Sequence, residues 1–130
     1  MGLKSTYKNY YNSCIIIVYY LRNNIFYAGI DYNQNFENSF YLYSEGGTKF
    51  DNDYNLVYRA KDNGGYCGMG SNNICNVDPK FKSVGSSFNL QLNSDSPAIN
   101  KGATAISNVD FGGSNRTQGG VTDMGAYEMR

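Results

Sequence analysis

Histidine and tryptophan are both missing from this chain, and proline occurs only twice. Without histidine there is no common general base, no usual zinc ligand and no Ser-His-Asp or Cys-His arrangement. Any catalysis has to come from carboxylates, Lys, Arg or Tyr. An excess charge of either sign is missing too: 11 Lys and Arg balance 11 Asp and Glu, so the formal net charge is zero. No basic stripe is present to follow a phosphate backbone, and no nucleic-acid partner is expected. The longest apolar run, Cys14 to Leu21, is far too short to cross a bilayer, so the chain does not read as membrane-spanning. Arg22-Asn23-Asn24 follows it in place of a small-residue cleavage site, and a buried β-strand is expected there.

Cysteine is scarce as well, at three residues. Cys67 and Cys75 flank a Gly-Met-Gly-Ser-Asn-Asn-Ile stretch, and their spacing is wrong for a C-x-x-C redox or zinc pair. They are a candidate disulfide, which would close a short loop and imply an oxidising compartment. Cys14, inside the apolar run, reads as a buried thiol. Helix signals are almost absent. No window keeps apolar residues at i, i+3, i+4 and i+7 with helix formers between them.

What the chain has in quantity is tyrosine, 13 residues, together with Asn, Ser and Gly. Tyr favours strands because its ring packs while its hydroxyl stays wet. Strand-like runs recur at Ile15–Tyr20, Asn24–Tyr27, Phe40–Tyr43 and Tyr54–Tyr58, separated by turn-forming stretches such as Gly46-Gly47 and Asp51-Asn52-Asp53. Asn24-Ile25-Phe26-Tyr27 and Asn55-Leu56-Val57-Tyr58 share one pattern: Asn, aliphatic, apolar, Tyr. Recurrence of this kind suggests coils of a β-solenoid, in which equivalent strands stack and the repeated Asn forms a ladder of side-chain amides. Two similar strands of an ordinary β-sandwich would produce the same pattern.

The texture changes after Gly64. The stretch to Asn76 reads as loop, Asp78-Pro79 as a turn, and Phe88 to Leu92 as a half-buried strand. In order come Asp78-Pro79-x-Phe81, Phe88-x-Leu90, Ser96-Pro97-Ala98-Ile99-x-x-Gly102, Asp110-Phe111-x-Gly113-x-x-Arg116 and Asp123-x-Gly125-Ala126-Tyr127-Glu128. Together these pieces resemble the C-terminal end of right-handed parallel β-helix proteins of the pectate-lyase-like kind. The resemblance implies an all-β fold: a short right-handed parallel β-helix with an irregular C-terminal capping segment. It divides residues 1–130, read as one domain, into coils at 14–60, a loop at 61–77 and a closing segment at 78–130. It implies a secreted or cell-surface location and a polysaccharide or glycan partner. Two departures stand out. Asn100 sits where the family usually has an acidic residue, and Gly112 to Arg116 replace an Asp-Gly-Asn-Pro-Arg run.

The functional expectation is a structural or carbohydrate-binding portion of such a protein. The alternative is part of a polysaccharide lyase or glycoside hydrolase acting on acidic polysaccharide. Lys49, Arg59 and Lys61 are candidate sugar or uronate contacts, and the resemblance implies an Arg or Lys base for a lyase. Asp51 and Asp53 alternate and could serve as paired carboxylates or bracket a turn, the turn being favoured. Arg116, Asp123 and Glu128 form a polar cluster in which Arg116 forks onto a carboxylate and pins the closing loop. Asp110 and Asp123 could instead help to hold calcium, although no Asp-x-Asp-x-Asp-Gly loop is present. Phe81, Phe88, Leu90, Leu92, Ile99 and Tyr127 are expected to cover an open solenoid end, and self-association through the open N-terminal coil is expected.

Overall fold

The computed structural model describes residues 18–28, 49–59, 70–105, 107–116 and 120–129. Among them the protein is all-β. The strands are β1 (Val18–Leu21), β2 (Ile25–Ala28), β3 (Lys49–Asn52), β4 (Leu56–Arg59), β5 (Ile74–Cys75), β6 (Phe81–Val84) and β7 (Phe88–Leu92). No helix occurs among the described residues, in keeping with the Asn- and Gly-rich sequence.

The first five strands pair in parallel. β1 lies on β3 with Val18 opposite Lys49, and β2 lies on β4 with Ile25 opposite Leu56. Both registers correspond to the 31-residue separation of Asn24 and Asn55. β5 adds to the other edge of β4, making a three-stranded sheet ordered β2-β4-β5. Between β1 and β2, Asn23 turns the chain at φ 62°, and between β3 and β4 Tyr54 does so at φ 57°. Those corners stack through Asn23 N–H donating to the Tyr54 carbonyl at 2.8 Å.

An asparagine ladder runs beside the corners. The backbone N–H of Asn24 donates to Asn55 Oδ1 at 3.0 Å, and that of Asn55 donates to Asn73 Oδ1 at 2.8 Å. Asn55 Nδ2 donates to the Leu21 carbonyl at 2.7 Å, and Asn73 Nδ2 repeats that contact one step later on the Asn52 carbonyl at 3.2 Å. The expected ladder therefore has a third member. Asn73 and β5 fall in the stretch read as loop, because a two-residue strand carries no periodicity. β3 also overrides the turn expected at Asp51-Asn52: pairing with β1 keeps the chain extended through Asn52, and the bend begins at Asp53. The runs at 15–17 and 40–43 lie outside the described residues.

β4 is covered on both faces. Leu56 and Tyr58 share one face by the two-residue period, and Val57 takes the other; Leu56 and Val57 are fully buried. The Leu56 face meets the C-terminal segment, where Leu92, Ala98 and Met124 complete the core with Ile25, Tyr27, Ile74, Phe81 and Ile99 around them. Tyr27 packs against Tyr58 with ring centroids 5.8 Å apart and meets Phe81 edge-on at 5.7 Å. The C-terminal segment thus lies along the face of the three-stranded sheet, where it had been expected to cover an end. Of the six residues assigned to that cover, Phe81, Leu92 and Ile99 join the core. Phe88 and Leu90 stay exposed, because β6 and β7 form an antiparallel hairpin in which the pair at its base, Phe81 and Leu92, reaches the sheet. Tyr127 is half-buried and stacks edge-on against the exposed Phe111.

Two glycines permit the close approach of this segment. Gly125 sits at φ 102°, and a Cβ there would stand 2.9 Å from Ile25 Cδ1; a Cβ on Gly102 would stand 2.8 Å from the Thr122 carbonyl oxygen. Asn23 fastens the approach. Its amide exchanges two hydrogen bonds with the backbone of Ala103, and its carbonyl accepts from Gly125 N–H at 2.8 Å.

Replacing Asn55 with Ala leaves several buried backbone groups without partners. The expected loss is ~3 kcal/mol in denaturant-induced unfolding, with a smaller loss for Asn24→Ala at its half-buried position. An Asn55→Ala protein within ~0.5 kcal/mol of the parent would remove the ladder as a stabilising element.

Candidate functional site

Stacking β1 on β3 sets Tyr20 opposite Asp51 and brings Arg22 to the rim of the corners. Arg22 follows β1 directly, and its Nη2 donates to Asp51 Oδ2. The guanidinium carbon lies 5.4 Å from the Tyr20 ring centroid and 5.9 Å from that of Tyr54, within cation–π range of both. The hydrogen bond to Asp51, with the Asp51 and Asp53 charges, holds Arg22 firmly in its charged form. Tyr20 is 65% exposed, so its ring is open to a ligand.

Arg22 and Tyr54 form one wall of an open cavity of about 1020 Å³. Residues 102–105, 107–109, 113, 115 and 120–122 line the rest, contributing Thr104, Asn108, Asn115 and Thr122. A fixed cation between aromatic faces, with amides and hydroxyls opposite, suits a polyhydroxylated ligand that carries an anionic group.

Asp53 does not complete a catalytic pair with Asp51. Its Oδ1 accepts from the backbone N–H of Tyr54 and Asn72 at 3.0 and 2.8 Å, and its Oδ2 accepts from Asn72 Nδ2 at 2.8 Å. It brackets the turn, the favoured sequence reading. Burial pushes its carboxyl upward, but the Asn72 and Tyr54 donors and the Arg22 charge outweigh that and hold it below 3.8.

The C-terminal carboxylates converge, each occupied by backbone donors. Asp110 Oδ1 accepts from Ser114 N–H at 2.6 Å and Oδ2 from Glu128 N–H at 2.9 Å. Asp123 Oδ1 accepts from Asn100 N–H and Oδ2 from Met129 N–H, both at 2.7 Å. Glu128 in turn accepts from Asp123 N–H at 3.0 Å. Arg116 lies 3.6 Å from Glu128 and donates to the carbonyls of Gly125 and Ala126 at 2.9 and 3.4 Å. The structure thus brings Arg116, Asp123, Glu128 and Asp110 together as a knot that ties the segment 98–129. No group of three or more Cys, Asp or Glu side chains suited to a metal occurs among the described residues.

Two of the expected sugar contacts, Lys49 and Arg59, fall in different sheets. Lys49 opens β3 in one sheet, Arg59 ends β4 in the other, and Lys61 lies outside the described residues. Cys75 is in a disulfide; Cys67, its expected partner, lies outside the described residues. Arg22, Tyr20 and Tyr54 were missed as a site. The signal was present: superposing Asn24 on Asn55 sets Tyr20-Leu21-Arg22 over Asp51-Asn52-Asp53. No helix among the described residues is long and apolar enough to cross a membrane. Comparison with family models, curated proteins and solved structures returned no match for this chain.

Buried Glu128 and half-buried Asp53 titrate in opposite senses. Burial raises Glu128 above its ordinary 4.5, with the Asp123 and Asp110 charges pushing the same way and Asp123 N–H and Arg116 opposing. The folded state therefore holds that proton more tightly, and its contribution to stability grows as pH falls from the raised value towards 4.5. Asp53 contributes above 3.8, and that contribution is lost as pH falls through its lower folded value. In urea titrations across pH, the difference between the parent and Glu128→Gln should shrink in the parent's favour on acidification. The difference from Asp53→Asn should close only at the acid extreme. A Glu128→Gln difference that does not vary with pH would contradict a carboxyl buried in its charged form.

Proposed function

We propose that this chain is the C-terminal part of a right-handed parallel β-helix of the pectate-lyase-like kind, acting as a structural and carbohydrate-binding element outside the cell or at its surface. The scaffold reading is supported by two strand pairs in parallel at one common register, by three asparagines in a continuing ladder, and by a C-terminal segment whose motifs pack together on the sheet. The Cys75 disulfide supports an oxidising compartment.

The observation that carries the binding reading is Arg22, held by Asp51 between the rings of Tyr20 and Tyr54 at the edge of the open cavity. Binding without cleavage is favoured by the state of the acids among the described residues. Asp51, Asp53, Asp78, Asp95, Asp110, Asp123 and Glu128 each already hold a donor from the protein. A glycosidase instead needs two carboxyl groups free to face the scissile bond. The ligand class is an acidic polysaccharide, with the uronate carboxylate on Arg22 and a sugar face on Tyr20.

Glycan-array binding, followed by titration with polygalacturonate and alginate oligomers, tests this. The expected result is saturable binding without unsaturated-uronate absorbance, weakened about tenfold or more by Arg22→Ala, with a smaller loss for Tyr20→Ala. Appearance of unsaturated products would make a lyase the better reading. Binding indifferent to Arg22 and Tyr20 would place the ligand elsewhere.

A further inference from the structure

The asparagine ladder has a direction, and its first rung is incomplete among the described residues. Each ladder amide accepts, through Oδ1, the backbone N–H of the Asn in the preceding rung: Asn73 from Asn55, and Asn55 from Asn24. The orientation of the Asn24 amide is settled, since its Nδ2 donates to the Arg22 carbonyl at 3.0 Å and to Asn55 Oδ1 at 2.9 Å. Asn24 Oδ1 is the position in this series with no donor among the described residues. The backbone of β2 agrees. Asn24 C=O accepts from Leu56 N–H, so by strand alternation residues 24 and 26 face β4. The N–H and C=O of Ile25 and Tyr27 then point the other way, along the outer edge of the sheet.

Beside that edge runs a groove of about 520 Å³ lined by Ile25, Phe26, Phe81, Leu90, Ala105 and Ala126, among others. Leu90 is 44% exposed, and Phe88, on the same face of β7, is 76% exposed. The hairpin therefore carries apolar surface past β2, where the next rung would lie.

We infer that the outer edge of β2 binds an extended segment of a partner polypeptide with the pattern Asn-aliphatic-apolar-Tyr, added as a parallel strand with its Asn over Asn24. The backbone N–H and the side-chain Nδ2 of the partner's Asn would both donate to Asn24 Oδ1, as those of Asn24 do to Asn55 Oδ1; its aliphatic residue would cover Ile25, and its Tyr would stack on Tyr27 as Tyr58 does from the other side. Main-chain bonds supply the affinity and the alternate side chains the selectivity, as in other strand additions. A second copy of this chain is a poor donor, because its own two segments of that pattern, 24–27 and 55–58, are already paired as β2 and β4. The inference rests on the observed ladder and does not depend on the glycan reading.

The probe is a labelled synthetic peptide with the sequence of residues 53–59, titrated into the whole chain by fluorescence anisotropy. Saturable one-to-one binding is expected. Exchanging the peptide's Asn for Ala should weaken it about tenfold, the effect of one lost hydrogen bond in a sheltered site. Leu90→Glu in the protein, an exposed position whose change leaves the core intact, should weaken it at least as much. Absence of saturable binding, or equal binding by the Ala peptide, would overturn the proposal. Concentration-dependent self-association of the chain alone, abolished by Leu90→Glu, would also overturn it, by making a second copy the occupant.

Discussion

The buried amide of Asn55 is the constraint on which the rest of the structure depends. A primary amide taken out of water must find partners for two donors and an acceptor, or it costs more than its packing returns. Asn55 finds them in two neighbouring rungs at once: Asn24 N–H on one side, the Leu21 and Asp53 carbonyls and Asn52 Oδ1 for its NH₂. Those partners exist only when β3 and β4 are stacked on β1 and β2 in this one register. A one-residue slip would leave the amide unsatisfied and would also exchange Leu56 and Tyr58 for Val57 on the face that meets the C-terminal segment. Hydrogen bonding and apolar burial therefore select the same register.

The C-terminal segment solves a different problem. From Asn93 onward the described residues have no strand ladder to take up their backbone N–H groups apart from a bridge between Val109 and Asn115. Turn carbonyls and carboxylates share that place. Asp110, Asp123 and Glu128 accept the N–H groups of Ser114, Glu128, Asn100, Met129 and Asp123, so three acids hold the segment together much as a strand neighbour would. The arrangement concentrates negative charge where water is scarce, and Arg116 offsets only part of it. Burial, and after it that imbalance, raises the pKa of Glu128.

What could be read from the sequence was what repeats. Asn24 and Asn55, each followed by the same residue types, were enough to expect parallel stacking and an amide ladder, because a repeat implies equivalent surroundings. The short β5 was not legible. Two residues carry no period, and Asn73 becomes visible as a ladder member only beside Asn55. Burial in the closing segment was legible in part. Phe81 and Leu92 read correctly as core, whereas Phe88 and Leu90 share the same alternation yet project beyond the sheet, and alternation alone cannot say where a covering surface ends. The acidic knot was legible as a cluster but not in its wiring, since its donors are backbone groups that any residue supplies. The Arg22 site failed for another reason: its parts come from two strands, and Lys49, Arg59 and Lys61 were sought along one stretch of chain.

These observations separate the charged residues into two kinds. The acids of the described residues face inward chemically, each spent on a protein donor, and that includes Asp51, whose partner is Arg22. Arg22 is different because its pairing with Asp51 leaves the flat face of the guanidinium between two aromatic rings and beside the open cavity. A guanidinium fixed in this way loses little conformational entropy when a second anion approaches, whereas a free Lys on a loop would lose much more. The same pairing lowers its net attraction for an anion, so affinity has to come from the aromatic surfaces and the polar loops as well as from charge. A ligand of extended, hydroxylated, weakly anionic character meets all three requirements, and a compact, highly charged one meets only the first.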